Sequence, residues 1–253
     1  MTSAGLSAGA PYFPPRALAI WVLRARPRHN AARGLALTLR SEAEIKATKK
    51  QPGGKTSAGP PGVPKSLRLG FRALRNGVKL GAHEVVFSRT GNRLHIEITA
   101  DYVVRLGLLT LYRYRLRASE VWTGNRLQTA TVETDKNGTP EFASVERAGS
   151  GFVVEGSGVR PYRAPLSWHL ATLWNPDQLK GPLISPLDGS PLRYDVAPRG
   201  RSTVLDAAGA AREADHYSLS GDPPLELWYD HDRIWTSLRA RASDGSTITY
   251  LAE

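Results

Sequence analysis

The chain has 253 residues, with 34 Lys and Arg against 23 Asp and Glu, and it contains no cysteine. The lack of cysteine excludes disulfides, zinc-thiolate sites and thiol nucleophiles. The charge is uneven, because residues 1–65 carry 11 basic and two acidic residues, a net of +9, which leaves +2 for the rest. A basic segment can attract nucleic acid or anionic lipid, but an unstructured segment translated from a GC-rich reading frame has the same composition, and we favour the latter interpretation.

Residues 1–65 therefore form a predicted extension, basic, rich in Pro and Gly and mostly disordered, before one folded domain at 66–253. The longest apolar run of the extension, at 17–23, is far shorter than the roughly 20 residues of a membrane span. Arg24 and Arg26 follow this run where a secretory cleavage site needs small residues. As written, the sequence predicts no membrane span and no export signal, which indicates a cytoplasmic location if the chain starts at Met1.

The pentapeptide Thr-Gly-Asn-Arg-Leu occurs twice, at 90–94 and 123–127. Each copy separates two runs of alternating apolar and polar residues, the period of a half-buried strand. Gly-Asn and Asn-Gly favour tight hairpins, because the central residues of these turns have positive φ. Asn76-Gly77 and Asn137-Gly138 repeat the signal. The strands predicted on this basis are 67–75, 78–89, 94–104, 110–122, 126–135, 141–147, 152–155, 192–197, 202–205, 214–219, 225–229, 234–242 and 247–251.

The alternation also predicts a register. Pairing the third and fourth strands so that residue numbers sum to 214 sets Tyr102 opposite Tyr112 on the apolar face and Asp101 opposite Arg113 on the polar face. A two-residue turn at 231–232 would set Trp228 opposite Trp235. We expect Tyr102 and Tyr112 to lie on the same face.

The strand rhythm breaks at 156–181, where Ser167 could begin one or two helical turns over 167–174. No helices of 10–15 residues alternate with the strands, which argues against a parallel α/β sheet. The predicted fold is all-β: a single strongly curved antiparallel meander sheet or incomplete β-barrel, with one short helical insertion near 166–180 and a disordered N-terminal tail.

Common catalytic and cofactor motifs are missing. Residues 53–56 resemble the end of a P-loop, but Lys49 stands where its first glycine belongs, and no G-x-S-x-G, H-E-x-x-H or G-x-G-x-x-G occurs. The sequence at 230–232, Asp-His-Asp, contains metal-ligand residue types, yet it is also ordinary turn chemistry. We therefore predict no cofactor, no metal and no catalytic residue.

Arg113, Arg115 and Arg117 share one face of a strand and could bind phosphate, although a solvated face paired with acidic residues is favoured. Tyr112 and Tyr114 point away from these arginines, which argues against a nucleic-acid partner, since stacking platforms need both on one side. The oligomeric state is not predicted.

The tryptophan and tyrosine residues are the remaining feature of the sequence that bears on function. These residues can fill a core or line a cavity of a half-closed barrel, and the pattern leaves both alternatives open. A binding surface for a lipid or another apolar small molecule would then include, as candidates, Tyr102, Tyr112, Tyr114, Trp168, His169 and Trp174.

Several segments together resemble a proteobacterial family known only as a domain of unknown function, over about residues 67–253. They are Phe71-Arg72-Ala73-Leu74-Arg75-Asn76-Gly77, Leu111-Tyr112-Arg113-Tyr114-Arg115, Glu120-Val121-Trp122, Leu173-Trp174-Asn175-Pro176, Leu219-Ser220-Gly221-Asp222 and Leu227-Trp228-Tyr229-Asp230. The resemblance implies an exported, periplasmic protein of the cell envelope, and more distantly an open, lipid-binding half-barrel. It carries over no catalytic residues.

The leading hypothesis is a non-enzymatic protein that binds an apolar or amphipathic ligand in the concave face. The alternatives are a hydrolase-like enzyme acting on an envelope substrate, with His169 as general base beside Asp135 or Glu120, and a purely structural or scaffolding domain.

Overall fold

The structure, a computed structural model, describes residues 59–106 and 109–253. Most of the extension predicted to be disordered therefore lies outside the described residues. The described part contains strands and one short 3-10 helix, Pro176–Lys180, and no helix in it is long and apolar enough to span a bilayer.

The strands, numbered in chain order, are β1 (Arg68–Arg75), β2 (Val78–Thr90), β3 (Arg93–Leu106), β4 (Leu109–Thr123), β5 (Arg126–Lys136), β6 (Thr139–Ala148), β7 (Gly151–Gly156), β8 (Val159–Pro165), β9 (His169–Leu170), β10 (Leu183–Ile184), β11 (Pro191–Leu192), β12 (Asp195–Leu205), β13 (Ala211–Ser220), β14 (Leu225–Tyr229), β15 (Trp235–Arg241) and β16 (Thr247–Ala252).

One antiparallel sheet of 13 strands dominates the fold, in the order β12-β13-β14-β15-β16-β1-β2-β3-β4-β5-β6-β7-β8. The last strand, β16, pairs with the first, β1, so the two halves of the meander join in the middle of the sheet. The sheet does not close, and β8 and β12 are its edges. This confirms the predicted all-β, strongly curved meander.

The predicted hairpins form where Asn and Gly indicated them. Asn76 and Gly77 have φ of 48° and 80°, and Asn137 and Gly138 have φ of 54° and 88°. Both copies of the repeated pentapeptide make two-residue turns, closed by Thr90 opposite Arg93 and by Thr123 opposite Arg126. Positive φ at these positions is the conformation that Asn and Gly tolerate best.

The predicted register between β3 and β4 is wrong by two residues. Tyr102 pairs with Tyr114, not with Tyr112, and Asp101 pairs with Arg115. A bulge between Val104 and Arg105 shifts the ladder by one residue near the turn. The predicted pairs differ from the observed ones by two residues, and a two-residue shift leaves every side chain on its predicted face. Tyr102 and Tyr112 are accordingly both buried on the inner face.

The predicted turn at 231–232 is also wrong. Tyr229 pairs with Trp235 and Trp228 pairs with Ser237, because the ladder shifts between Trp228 and Tyr229. The loop is longer than two residues and closes with two backbone hydrogen bonds, from Asp230 N to Ile234 O at 2.9 Å and from Arg233 N to Asp230 O at 2.9 Å.

Residues 166–194, here called the insertion, connect the two edge strands β8 and β12. The helix predicted at 167–174 is wrong, since residues 169–170 form β9, which pairs in parallel with β10. The 3-10 helix begins further along the chain, at Pro176. Asn175 is its N-cap, and the Asn175 side chain accepts a hydrogen bond from Asp177 N at 2.9 Å. Asn at the N-cap and Pro at the first helical position explain this start.

The strand predictions on either side of the insertion also need correction. Strand β8 was not predicted, and the strands predicted at 192–197 and 202–205 become one bulged strand, β12.

The insertion fills the inner face of the curved sheet. Its apolar side chains share one buried core with the inner-facing residues of the meander; those of the insertion are Leu170, Ala171, Leu173, Trp174, Leu179, Leu183, Ile184 and Leu187. Because the insertion covers the apolar inner face, the open sheet buries this face without packing against a second large sheet.

The segment just before β1 lies against this insertion. A Cβ built on Gly62, which has φ +87°, would come within 2.4 Å of the Trp174 carbonyl oxygen. Gly77 has a similar φ of +80°, but a Cβ there would meet nothing within 4 Å. A substitution at Gly77 therefore introduces backbone strain alone, whereas a substitution at Gly62 introduces backbone strain and a steric clash.

We therefore expect Gly77→Ala to lower the free energy of unfolding by about 1–2 kcal/mol, the cost of left-handed backbone. Gly62→Ala should lower it by about 1–3 kcal/mol more, because the Trp174 backbone must also move. Urea denaturation of the two variants measures the difference, and equal losses would show that residues 59–64 do not pack tightly on the insertion.

Candidate functional site

The predicted site residues lie in three different parts of the inner face. Tyr102, Tyr112 and Tyr114 lie on β3 and β4, deep in the sheet. Trp174 lies in the core beside Glu120. Trp168 and His169 lie at the edge of the insertion, half-buried. The structure therefore brings the tyrosines together and the last pair together, but it does not join them into one surface.

The tyrosines belong to an aromatic cluster with a histidine in it. The rings of Tyr102 and Tyr114 stack with centroids 5.4 Å apart, and the Tyr102 hydroxyl hydrogen-bonds the hydroxyl of Tyr250. The His83 Nδ1 atom is 3.5 Å from the Tyr102 hydroxyl, and its Nε2 atom is buried without a hydrogen-bond partner among the described residues. The cavity beside His83 and Tyr250 has a volume of about 30 Å³, which is room for one or two water molecules.

Burial lowers the pKa of His83 to about 4. Desolvation disfavours the charged imidazolium, and the ring is packed between Phe71, Trp235 and Tyr250, with centroids 5.3–6.1 Å away. His83 is therefore neutral near pH 7 and contributes to stability in that form.

Glu120 forms the second group. Its side chain is fully buried on the inner face of β4, and three donors surround it: Trp122 Nε1 at 2.7 Å, Trp174 Nε1 at 3.2 Å and Thr172 Oγ1 at 2.6 Å. No Lys, Arg or His of the described residues forms an ion pair with it. Burial raises the pKa of Glu120, against the three hydrogen bonds that lower it.

Two of these donors belong to the insertion, so Glu120 joins the insertion to the sheet. The network continues from Thr172, whose hydroxyl accepts a hydrogen bond from Gln178 Nε2 at 2.9 Å. Tyr229 of β14 adds a second attachment by donating to the Leu173 carbonyl at 2.7 Å. Buried polar groups satisfied in this way rigidify the contact that they make.

The third group surrounds a pocket of about 80 Å³ at the rim of the sheet, here called the rim pocket. It lies where the β4–β5 turn and strands β6 and β7 meet the insertion. Its walls combine aromatic and polar side chains, among them Trp122, Phe152, Trp168, His169, Arg126, Arg147, Asp177 and Gln178. The Gln178 Oε1 atom is buried and has no hydrogen-bond partner in the described part of the chain.

Two arginines give the rim pocket its charge. Arg147 donates from Nε to the Leu127 carbonyl at 2.8 Å, and its guanidinium lies 5.2 Å from the ring centroid of Phe152. Burial and the charge of Arg126 lower the pKa of Arg147. Within residues 59–106 and 109–253, no carboxylate lies within ion-pair distance of either arginine.

The acidic wall of the pocket is already neutralised. Asp177 accepts ion pairs from Lys180 at 2.6 Å and from Arg233 at 2.7 Å. Burial opposes these contacts, yet they hold the pKa of Asp177 below its ordinary value. Burial lowers the pKa of His169, with Asp177 acting in the opposite direction. The free charge in the pocket is therefore the guanidinium pair.

The carboxylates considered as partners of His169 make other contacts. The Glu120 oxygens accept from Trp122, Trp174 and Thr172, and Asp135 is exposed on β5, where it accepts from Gly138 N at 2.6 Å. No hydrogen bond between described residues joins either carboxylate to His169.

The other charged patterns form ordinary surface contacts. Arg113, Arg115 and Arg117 are exposed on the outer face, and Arg115 is 3.7 Å from Asp101, so the face is solvated and partly paired as favoured from sequence. At 230–232 the Asp230 carboxylate accepts from Ile234 N at 2.8 Å, which is a turn contact. The described residues contain no group of three or more side chains that could hold a metal ion.

The family described as domain of unknown function DUF6134 matches residues 71–253. The chain belongs to this family. A comparison with curated proteins finds no match. Among solved structures, the chain is similar to the crystal structure of a β-barrel-like protein of domain of unknown function DUF1849 from Brucella abortus, with a TM-score of 0.53 and 7% identity over 74% of this chain and 94% of that one. At this identity the likeness shows the fold alone.

Sequence reasoning named Glu120 only as a possible partner of His169 and did not name Arg147, although a signal was present for both. Glu120 has the parity of the buried residues Leu116 and Ala118, and Arg147 has the parity of Ala143 and Val145. A charged side chain in the inward series of a strand indicates a buried polar contact or a functional site.

We expect Glu120→Leu to lower the free energy of unfolding by about 3 kcal/mol or more, since it leaves the Trp122, Trp174 and Thr172 donors buried without an acceptor. Glu120→Gln should cost only about 1 kcal/mol, because its amide oxygen can accept from both indoles. Glu97→Gln, on the exposed face of β3, is the control and should change stability by at most about 0.5 kcal/mol. Urea denaturation that found Glu120→Leu as stable as the wild type would exclude this role for the carboxylate.

The shifted pKa of His83 predicts a pH dependence. Between about pH 6.5 and pH 4, the unfolded chain binds a proton at this residue that the folded protein does not, so the free energy of unfolding falls by about 3 kcal/mol as the pH drops. His83→Phe should remove this part of the decrease, and substitution of the exposed His231 by Gln should not. Urea denaturation from pH 7 to pH 4 distinguishes them, and parallel curves for wild type and His83→Phe would contradict the assignment.

Proposed function

We propose that the β domain binds a small amphipathic molecule with an anionic head group at the rim pocket, without transforming it. The observation that carries this proposal is the pair Arg126 and Arg147, two adjacent guanidinium groups with no carboxylate partner in the described chain, beside an aromatic wall. Guanidinium groups prefer the planar, bidentate geometry of carboxylate or phosphate.

The size of the pocket indicates which part of the ligand it holds. A volume of about 80 Å³ is smaller than the roughly 300–1,000 Å³ of pockets that enclose whole drug-sized ligands. The head group and its first carbons fit beside Trp168 and Phe152. The rest of the molecule lies toward the exposed side chain of Leu166 at the mouth.

The remaining polar groups suit an oxygen-rich head group. The buried Gln178 Oε1 atom has no hydrogen-bond donor among the described residues. A ligand hydroxyl, a protonated ligand oxygen or a bridging water could donate to it and so remove an unpaired buried acceptor. Trp168 and His169, two of the predicted ligand-binding residues, lie in this pocket. The proposal keeps the envelope location that the family resemblance implies.

Titration calorimetry of the full chain with decanoate tests the proposal. We expect saturable binding of decanoate and much weaker binding of decyltrimethylammonium, which has the same tail and a cationic head. Arg126→Gln and Arg147→Gln should each weaken decanoate binding by about tenfold or more, since each removes a charge-assisted hydrogen bond of about 1.5–3 kcal/mol.

The matched control is Arg93→Gln, at an exposed arginine that begins β3 after the neighbouring β2–β3 turn and does not line the pocket. It should bind decanoate as the wild type does. Absence of saturable binding, equal affinity for the cationic amphiphile, or unchanged affinity in both rim-pocket variants would each overturn the proposal.

A further inference from the structure

At one end of the sheet, β3 and β4 continue beyond the last residues that pair with β2 and β5. Strand β2 pairs with β3 only as far as Tyr102, and β5 pairs with β4 only as far as Tyr114. Beyond them, residues 103–106 pair with residues 109–113, and Asn137 N donates to the Arg113 carbonyl at 2.8 Å. At about 3.3 Å per residue this two-stranded segment, here called the β3–β4 ribbon, is about 13 Å long.

The ribbon and the neighbouring turn expose apolar side chains. Leu109 is 67% exposed, Leu111 is 43% exposed, and Val78 in the adjacent β1–β2 hairpin is 70% exposed. Val78 lies at the same end as the ribbon. Strands β2 and β3 are antiparallel and Gly81 pairs with Tyr102, so the residues before Gly81 lie on the same side of this pair as the residues after Tyr102. Single exposed apolar residues are ordinary, but three at one end of the sheet can form a contact surface.

Basic residues are interleaved with these apolar ones. Lys79, Arg105 and Arg113 are exposed, and no carboxylate of the described residues lies within 4.0 Å of their charged groups. Of the acidic residues close to this end, Asp244 pairs with Arg75 and Glu141 pairs with Lys136, whereas Asp135 accepts a hydrogen bond from Gly138 N. The end therefore presents exposed apolar side chains beside three basic ones that have no ion-pair partner among the described residues.

We propose that this end of the sheet docks on an anionic lipid bilayer. Leu109 and Leu111 enter the interfacial region, which accepts apolar side chains to a depth of about 5–10 Å. Arg105, Arg113 and Lys79 contact the lipid phosphates, where juxtamembrane basic residues are attracted.

The charges and the area distinguish a bilayer from a second copy of the chain. A symmetric contact between two ribbons would bring the arginines of one copy against those of the other. A ribbon tip also buries far less than the roughly 800 Å² per partner of a stable protein interface. A bilayer supplies an apolar interior and phosphates together, which matches the pattern of side chains.

A single fluorophore tests the docking directly. The chain has no cysteine, so Leu109→Cys carries one environment-sensitive dye, and Leu205→Cys, 55% exposed at the far end of the sheet, carries it as the control. With vesicles of equal parts phosphatidylcholine and phosphatidylglycerol, the dye at 109 should shift to the blue and the dye at 205 should not. Vesicles of phosphatidylcholine alone should shift neither.

Flotation of the full chain with the same vesicles then separates the ribbon from other basic regions, including residues 1–58. Arg105→Gln with Arg113→Gln, and separately Leu109→Asn with Leu111→Asn, should each lower the bound fraction at least fivefold. The charge-matched control, Arg89→Gln with Arg93→Gln at the opposite end, should leave it unchanged. No blue shift at 109, equal losses in the control, or a dimer in solution that the Leu109→Asn, Leu111→Asn variant disrupts would overturn the proposal.

Discussion

The buried carboxylate of Glu120 is the constraint on which the rest of the structure depends. A carboxylate with no cationic partner among the described residues is costly to bury, and it is tolerated here because Trp122, Trp174 and Thr172 donate to it. Two of these donors belong to the insertion. The interaction thus selects one position of the insertion against the sheet, which apolar packing alone specifies less sharply.

This attachment also explains how an open sheet of 13 strands remains a single compact domain. The insertion leaves the sheet at the edge strand β8, crosses the inner face and returns at the other edge, β12. Trp174 packs edge-on against Phe87 and Trp122, with centroids 5.3 Å and 5.5 Å away, so it contacts both β2 and β4. The rim pocket exists only because the insertion is held there, since Trp168, His169 and Gln178 of the insertion line it.

Much of the sheet could be predicted because its signals are local. Alternation placed Tyr102, Tyr112 and Tyr114 on the inner face, and Asn-Gly turns located the hairpins. The register could not be predicted, since a bulge between Val104 and Arg105 leaves one residue of the hairpin unpaired, and alternation does not distinguish pairings that differ by two residues. The structure of the insertion could not be predicted either. Its strands β9 and β10 have two residues each, which is too short for an alternating pattern of apolar and polar residues, and tertiary contacts stabilise them. For the same reason Trp168 and Trp174, both grouped as ligand residues from composition, lie in different environments.

Hydrogen exchange in the insertion tests the central claim most directly. The amides of His169 and Ala171 donate to the carbonyls of Pro182 and Ile184 at 2.9 Å and 3.0 Å, and these bonds hold β9 against β10. If Glu120 fixes the insertion, Glu120→Leu will speed exchange at these two amides while β3 and β4 remain protected, since local opening precedes global unfolding. Unchanged protection of both amides in the variant would contradict the account.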